Sequence, residues 1–420
     1  MKRRKFYTFI SLFGISLTLT ILIVITSFVD QMLAPTYPEI HRNRSLYVNT
    51  VEIWDKKTQT SSKNPLSEFA VKTYIKTLPH IEKVAMASMP MSLNIYLNGQ
   101  KGKPFIKYTD AEFWEITQFD FLEGKGFNHE TISSNDKAVV INDIVRDNYF
   151  GKGVSVVGKS LELNDDVYRI VGVVRNCPFT QIFVGSDIYL PHTADKSPKN
   201  NVDLGGRYNA IILAKTKDDM PKIQDELKGV VGRISLRGDK DIASKKLGSF
   251  SSSGGGFNPD SIVMNANYYA ECFTENITGN SRGDTGYSKF IILLSLFALF
   301  FMLLPTLNLI NINISRIMER ASEIGIRKAF GASAGTLTIQ FIIENIILTI
   351  FGGVLAVFLS SLAILYLNKN GIGMLKTMSL SINWFVVLMA LLLCFIFGLM
   401  SGAYPAWRMS KLSVVNALKN

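Results

Sequence analysis

The sequence predicts an α-helical membrane protein with four transmembrane (TM) helices and a large mixed α/β extracytoplasmic domain between the first and the second. Three features predict it: four long apolar runs, basic residues on one side of the resulting topology, and roughly 255 intervening residues patterned as strands and helices. The chain has 420 residues, is 47% hydrophobic and has a positive mean hydropathy. That excess is concentrated. Tyr7 to Val29, Phe290 to Ile314 and Trp384 to Ala403 carry no charge, and Leu337 to Leu367 carries only Glu344. Each is about as long as the ~20 residues a helix needs to cross a hydrocarbon core. A helix satisfies its own backbone hydrogen bonds, as lipid requires.

Orientation follows from Lys2, Arg3, Arg4 and Lys5, which hold the N-terminus in the cytoplasm. Four spans return the C-terminus to the same side. The N-terminus, the segment after the second run and the tail carry most of the net charge of +11. The basic balance is therefore topological, and it predicts anionic lipid head groups rather than nucleic acid as neighbours. Tyr7, Tyr287, Tyr366, Trp384, Tyr404 and Trp407 fall at span ends, as an aromatic belt requires. A cleaved signal peptide has a shorter apolar core, so the first run reads as an uncleaved anchor. The expected division is 1–30 for the basic N-terminus and first span, 31–286 for the outer domain and 287–420 for the membrane domain. Within the last, spans are expected at about 288–314, 337–367 and 383–404, with a cytoplasmic elbow at 315–335 and a tail at 405–420.

In the outer domain Ser45 to Trp54 alternates like a strand, and Ser67 to Leu78 has a capping serine and helical spacing. Further strands are read at Val84 to Leu97 and Pro104 to Thr109. Lys137 to Pro191 reads as a strand (AVVIND), a helix stopped by Gly151, a hairpin turning at Asn164 to Asp166, and a last strand (SDIYLP). Arg207 to Ile234 reads strand, turn, amphipathic helix, and Gly248 to Asn258 is a flexible loop. Cys177 and Cys272 are the two cysteines of this region, and the sequence leaves open whether they pair. The four histidines show no metal-ligand spacing and read as surface residues.

Gly153 to Ser160 fits GxxxxGK[ST] letter for letter. A phosphate loop needs a helix after it, yet LELNDDVYRIVGVV alternates and turns, and Val154, Val156 and Val157 suit a tight nest poorly. The match is rejected. A membrane-anchored enzyme finds no support in a nucleophile–base pattern such as GxSxG.

The elbow is dense in charge. Ile317, Ala321 and Ile324 recur at helical spacing, with Arg316, Glu319, Arg320, Glu323 and Arg327 on the other face. Gly331 can end that helix and Ser333 can cap the next. Glu344 lies inside the third span, where a carboxylate needs a partner or a boundary. The segment EIGIRKAFGAS, the following QF with Glu344, and the tail AYPAWRMSKLSVVNALK resemble the MacB/FtsX family of ABC-transporter membrane subunits. FWEITQFDFLEGKGF, DKAVVIND and GKSLELNDDVYRIVGVV resemble that family's periplasmic core domain. The resemblance implies a Porter-like subdomain at about 45–122 plus 200–270, split by a Sabre-like one at about 125–197. It also implies that the elbow docks on a cytoplasmic ABC ATPase. Arg316, Glu319, Arg320, Glu323, Ile324, Gly325, Arg327, Lys328, Gly331 and Ala332 would form the docking element, with Ile324 as its knob. The implied role is a permease or mechanotransmission subunit in the bacterial inner membrane, exporting or extracting a peptide, antibiotic or lipoprotein-like substrate. The alternative is an FtsX-like regulator that switches on a cell-wall hydrolase. The implied partners are the ATPase, a second permease subunit and a periplasmic or outer-membrane protein. No cofactor is expected in this chain. ATP and Mg are expected in an ATPase on another polypeptide, because the chain begins directly at the membrane.

Overall fold

The computed structural model describes residues 2–234, 260–319, 334–370 and 380–399, a few residues within these ranges excepted, with 326 and 330 besides. The chain divides into two compact units, Leu33–Phe290 and the remainder.

The Leu33–Phe290 unit is built on a ten-stranded mixed sheet. Across it run Ser45–Val48, Tyr208–Ala214, Ile81–Ser88, Phe105–Thr109, Ile188–Pro191, Ala138–Asn142, Asp166–Val174 and Ser160–Leu163. Met91–Ser92 and Phe121–Gly124 pair at the side. The first four strands come from 45–122 and 200–270, and the last four from 125–197. They meet where Phe105–Thr109 pairs in parallel with Ile188–Pro191. Both faces are covered, so the central strands read as continuous apolar runs rather than alternating ones. The alternation is nonetheless present inside the protein. Leu46, Met86, Ile141 and Ile212 point into one core with Ile223 and Leu227 of helix Met220–Gly232. Tyr47, Ala85, Val140 and Ile211 point into the other with Phe113, Phe183 and Tyr269.

Local chemistry places the short helices. Asn142 Oδ1 accepts from Val145 N at 2.8 Å and caps Asp143–Phe150, which Gly151 ends at φ +102°. Ser67 Oγ accepts from Ala70 N at 2.9 Å. The helix expected from Ser67 is one α-turn, Glu68–Ala70, followed by a π-turn, Val71–Ile75. The single strand expected at Ser45 to Trp54 is two. Ser45–Val48 pairs in the large sheet, and Val51–Asp55 joins a second sheet with Ser261–Met264 and Thr60–Asn64. Asn49 and Thr50 carry the chain from one to the other. The sequence loop 248–258 lies outside the described residues.

In the other unit, two helical stretches among the described residues are long and apolar enough to cross a membrane, Thr8–Leu33 and Ile342–Asn370. A shorter apolar stretch, Tyr287–Phe301, opens the helix Tyr287–Glu319. Helix Ala334–Asn370 lays small residues against the first helix. A Cβ on Gly352 would stand 2.7 Å from Ile15 Cγ2, and Thr20 Oγ1 donates to Ala356 O at 3.3 Å. Close approach through small residues is how helices pack where water cannot drive them together. Ile15, Leu19, Leu22 and Ala356 form the buried core of this contact.

Candidate functional site

The residues expected to couple to an ATPase are only partly placed. Arg316 and Glu319 lie in the last turn of Tyr287–Glu319. The elbow, expected at 315–335 beyond a span ending near 314, opens as a continuation of the preceding helix, since no Gly or Pro lies between Ile314 and Glu319 to interrupt propagation. Arg320, Glu323, Ile324, Gly325, Arg327, Lys328, Gly331 and Ala332 lie outside the described residues. Glu344 is half-buried in helix Ala334–Asn370 and is not without a partner.

The described residues reveal a different constellation, at the two ends of the Leu33–Phe290 unit. Helix Lys2–Leu33 runs directly into the domain. Before the chain enters the sheet at Ser45, it folds a buried ion pair into the second core. Glu39 and Arg42 are each 5% exposed. Arg42 Nη2 donates to Glu39 Oε2 at 2.7 Å and also to Gln181 Oε1, while Nη1 donates to Ala34 O at 2.6 Å. Tyr47 Oη donates to Glu39 Oε1 at 2.7 Å. The guanidinium stacks 3.6 Å from the centre of the Tyr269 ring. Gln181 Nε2 donates to Thr36 Oγ1 at 2.6 Å. One arginine thus joins the entry segment, the loop after Asp166–Val174, and helix Tyr269–Glu275. A buried ion pair adds little net stability over apolar packing, but it is costly to break, so it holds a specific geometry.

The exit is held in a similar way. Thr274 Oγ1 donates to Thr285 O at 2.9 Å, and Thr278 Oγ1 donates to Gly286 O at 2.8 Å. Gly286 has φ +65°, and a Cβ there would collide with the Thr278 carbonyl. Phe273 meets Phe290 edge to face, and Lys289 pairs with Asp284. The start of Tyr287–Glu319 is therefore fastened to helix Tyr269–Glu275, the same helix on which Arg42 stacks.

Beside this network lies Lys107, fully buried on a central strand. Its Nζ donates to Phe183 O at 2.9 Å and Ile182 O at 3.2 Å. Burial lowers its pKa to about 7 and raises that of the neighbouring Cys177 thiol to about 12. Cys177 and Cys272 are both free and buried. Histidine is not uniformly superficial, because His192 is buried with Nε2 3.4 Å from Glu68. Among the described residues no cluster of His, Cys, Asp or Glu is placed to hold a metal ion.

The Gly153 to Ser160 match has the geometry of a turn feeding a strand. Ser160 opens Ser160–Leu163, which pairs antiparallel with Asp166–Val174. The amide of Val156 and the hydroxyl of Ser155 donate to Glu123 Oε2 at 3.0 and 2.9 Å, so a carboxylate of the chain occupies their hydrogen-bonding positions.

Sequence patterns did not reveal Glu39, Arg42, Gln181 or Lys107. The three-residue spacing of Glu39 and Arg42 was the only local signal, and Lys107 stands in an apolar strand whose two faces are both buried.

Residues 8–230, more than half of the chain, match the family described as MacB-like periplasmic core domain. The chain belongs to the MacB/FtsX family of ABC-transporter permeases. Residues 295–414 match the FtsX-like permease C-terminal family. An ABC-transporter permease of this family is a membrane-embedded protein with an extracellular domain, here the mixed α/β unit. Among relatives, the ABC transporter permease YvrN of Bacillus subtilis (strain 168) is 24% identical over 86% of this chain and 80% of its own length. The macrolide export ATP-binding/permease protein MacB 2 of Yersinia pestis bv. Antiqua (strain Antiqua) is 24% identical over 73% of this chain. The match spans 40% of that exporter's length. The crystal structure of the periplasmic region of MacB from Actinobacillus actinomycetemcomitans is 12% identical, with a TM-score of 0.34 over 45% of this chain and 85% of that one.

Proposed function

We propose that this MacB/FtsX-type permease is the force-transmitting subunit of an ABC transporter whose ATP is hydrolysed by a separate cytoplasmic ATPase. In this reading the chain crosses the membrane four times with both termini inside and pairs with a second permease subunit. The ATPase, with its ATP and Mg, docks on residues 315–335, and Ile324 enters it as an apolar knob. Displacement of the docking element moves the helices, and the helices move the outer domain to drive export or extraction of a peptide, antibiotic or lipoprotein-like substrate. Porter-like and Sabre-like subdomains are the two halves of the ten-stranded sheet.

One observation supports the reading: the segments at both ends of the Leu33–Phe290 unit are held by buried side chains of that unit. The Arg42 network holds the entry, the Thr274 and Thr278 hydrogen bonds hold the exit, and both converge on helix Tyr269–Glu275. A passive tether would need no such fastening, because ordering these segments costs conformational entropy. The test is co-purification of the ATPase with the full chain from its native membrane. Ile324→Asp and Arg327→Glu are each expected to abolish the association while the chain remains folded. Unchanged association in both variants overturns the docking assignment.

A further inference from the structure

The second core of the outer domain contains an amine that the force-transmitting role does not use. Lys107 is fully buried, and among the described residues it makes no ion pair. Its two hydrogen-bond acceptors are the carbonyls of Ile182 and Phe183, in the loop that also presents Gln181 to Arg42. The charged and titratable groups around it come from every element packed on this face. The entry segment contributes Glu39, already paired with Arg42, and strand Ser45–Val48 contributes Tyr47, a phenol whose pKa burial raises and which donates to Glu39. The loop contributes Cys177, strand Ile188–Pro191 contributes Tyr189, and helix Tyr269–Glu275 contributes Tyr269 and Cys272. Burial raises the pKa of all five of these thiols and phenols, so they are neutral at physiological pH. Strand Ile81–Ser88 presents only Ala85 and Ala87 to this core. A protonated Lys107 is therefore one uncompensated charge in an apolar interior.

We propose that Lys107 is a protonation switch: when the outer compartment becomes acidic, Lys107 takes up a proton and releases the loop at residues 181–186, and with it the hold of Gln181 on Arg42.

The physical basis is linkage. The closed loop excludes water from the amine and favours its neutral form, with the pKa lowered by burial to about 7. An opened loop returns the amine to water, where lysine titrates near about 10.4. The open state binds the proton more tightly, so acid favours it. Between pH 8 and pH 6 the population of the open loop should rise about tenfold, the factor linkage requires for those two values. The consequence is local: the Arg42–Glu39 pair keeps its own contacts but loses its link to the loop.

The experiment is hydrogen exchange read by mass spectrometry on the full chain in lipid nanodiscs, corrected for the pH dependence of intrinsic exchange. Amides of residues 181–186 in the wild type should exchange about tenfold faster at pH 6 than at pH 8. Lys107→Met should remove that dependence, so that corrected exchange of residues 181–186 is the same at pH 6 and pH 8. Lys107→Gln serves as the second neutral replacement if the methionine variant fails to fold. Corrected exchange that is independent of pH in the wild type overturns the proposal, as does the wild-type pH profile persisting in a folded neutral variant. No ATPase enters this measurement, so its outcome stands apart from the docking test.

Discussion

Arg42 shows what a single residue does in this protein. Its guanidinium serves three chain segments that are distant in sequence, and its charge is balanced by one buried carboxylate. Arg42→Met should cost about 3–5 kcal/mol, because it leaves Glu39 charged and unpaired in the core. Adding Glu39→Gln should recover part of that loss, and chemical denaturation of the purified chain measures both. Lys107→Met should act in the opposite direction. The folded pKa of Lys107 is about 7, below the unfolded value. Between the two the unfolded chain binds the extra proton, so this lysine's contribution strengthens as pH rises from about 7 to about 10 and is lost below. The methionine variant should lack a slope of about 1.4 kcal/mol per pH unit across that window, compared with wild type. Neither residue was legible as a site. Lys107 looks like any polar residue in a strand, and Arg42 like part of a basic cluster, because burial is decided by segments far along the chain. Glu344, by contrast, stands out in the sequence as a lone carboxylate in an apolar run, and it is half-buried in helix Ala334–Asn370.

At the level of elements, local pattern predicted most of what forms. The strand, capped helix and paired hairpin strands of Ala138–Val174 stand as expected, the helix with its Asn142 cap. The segment Ser45 to Trp54 did not, since an alternating pattern cannot say which sheet a strand will join. The long apolar helices follow the same division. Their apolar length was evident, but the contact of Gly352 and Ala356 with Ile15 and Thr20 belongs to the fold. Gly352→Val should force the two helices apart or push Ile15 from its rotamer, at a cost of about 1–3 kcal/mol. The thermal midpoint of the chain in detergent should fall accordingly, while Gly229→Ala, with open space around its would-be Cβ inside helix Met220–Gly232, should not lower it and should raise it slightly.

For the whole molecule, the proposed topology places Leu33–Phe290 outside the cell membrane. Ser155 is exposed on that unit, and the native Cys177 and Cys272 are buried. Ser155→Cys should therefore react with a membrane-impermeant maleimide on intact spheroplasts, above the wild-type background. Labelling only after the membrane is opened would reverse the orientation. The proposed role also predicts no magnesium-dependent ATP turnover by the purified chain. Robust hydrolysis that survives removal of contaminating ATPases would overturn the assignment of catalysis to a partner.

By itself the sequence determined where the chain is greasy enough to enter lipid, which stretches alternate as strands, and which family it resembles. These are properties of neighbouring residues and of short motifs. Only the tertiary structure decided that ten strands from both parts of the outer domain join in one sheet, that Arg42 gathers Glu39, Gln181 and Tyr269, and that Lys107 is sealed from water. The reason is that whether a polar group is buried, and with what partner, depends on segments more than a hundred residues apart meeting in space, as Arg42 and Gln181 do across 139 positions.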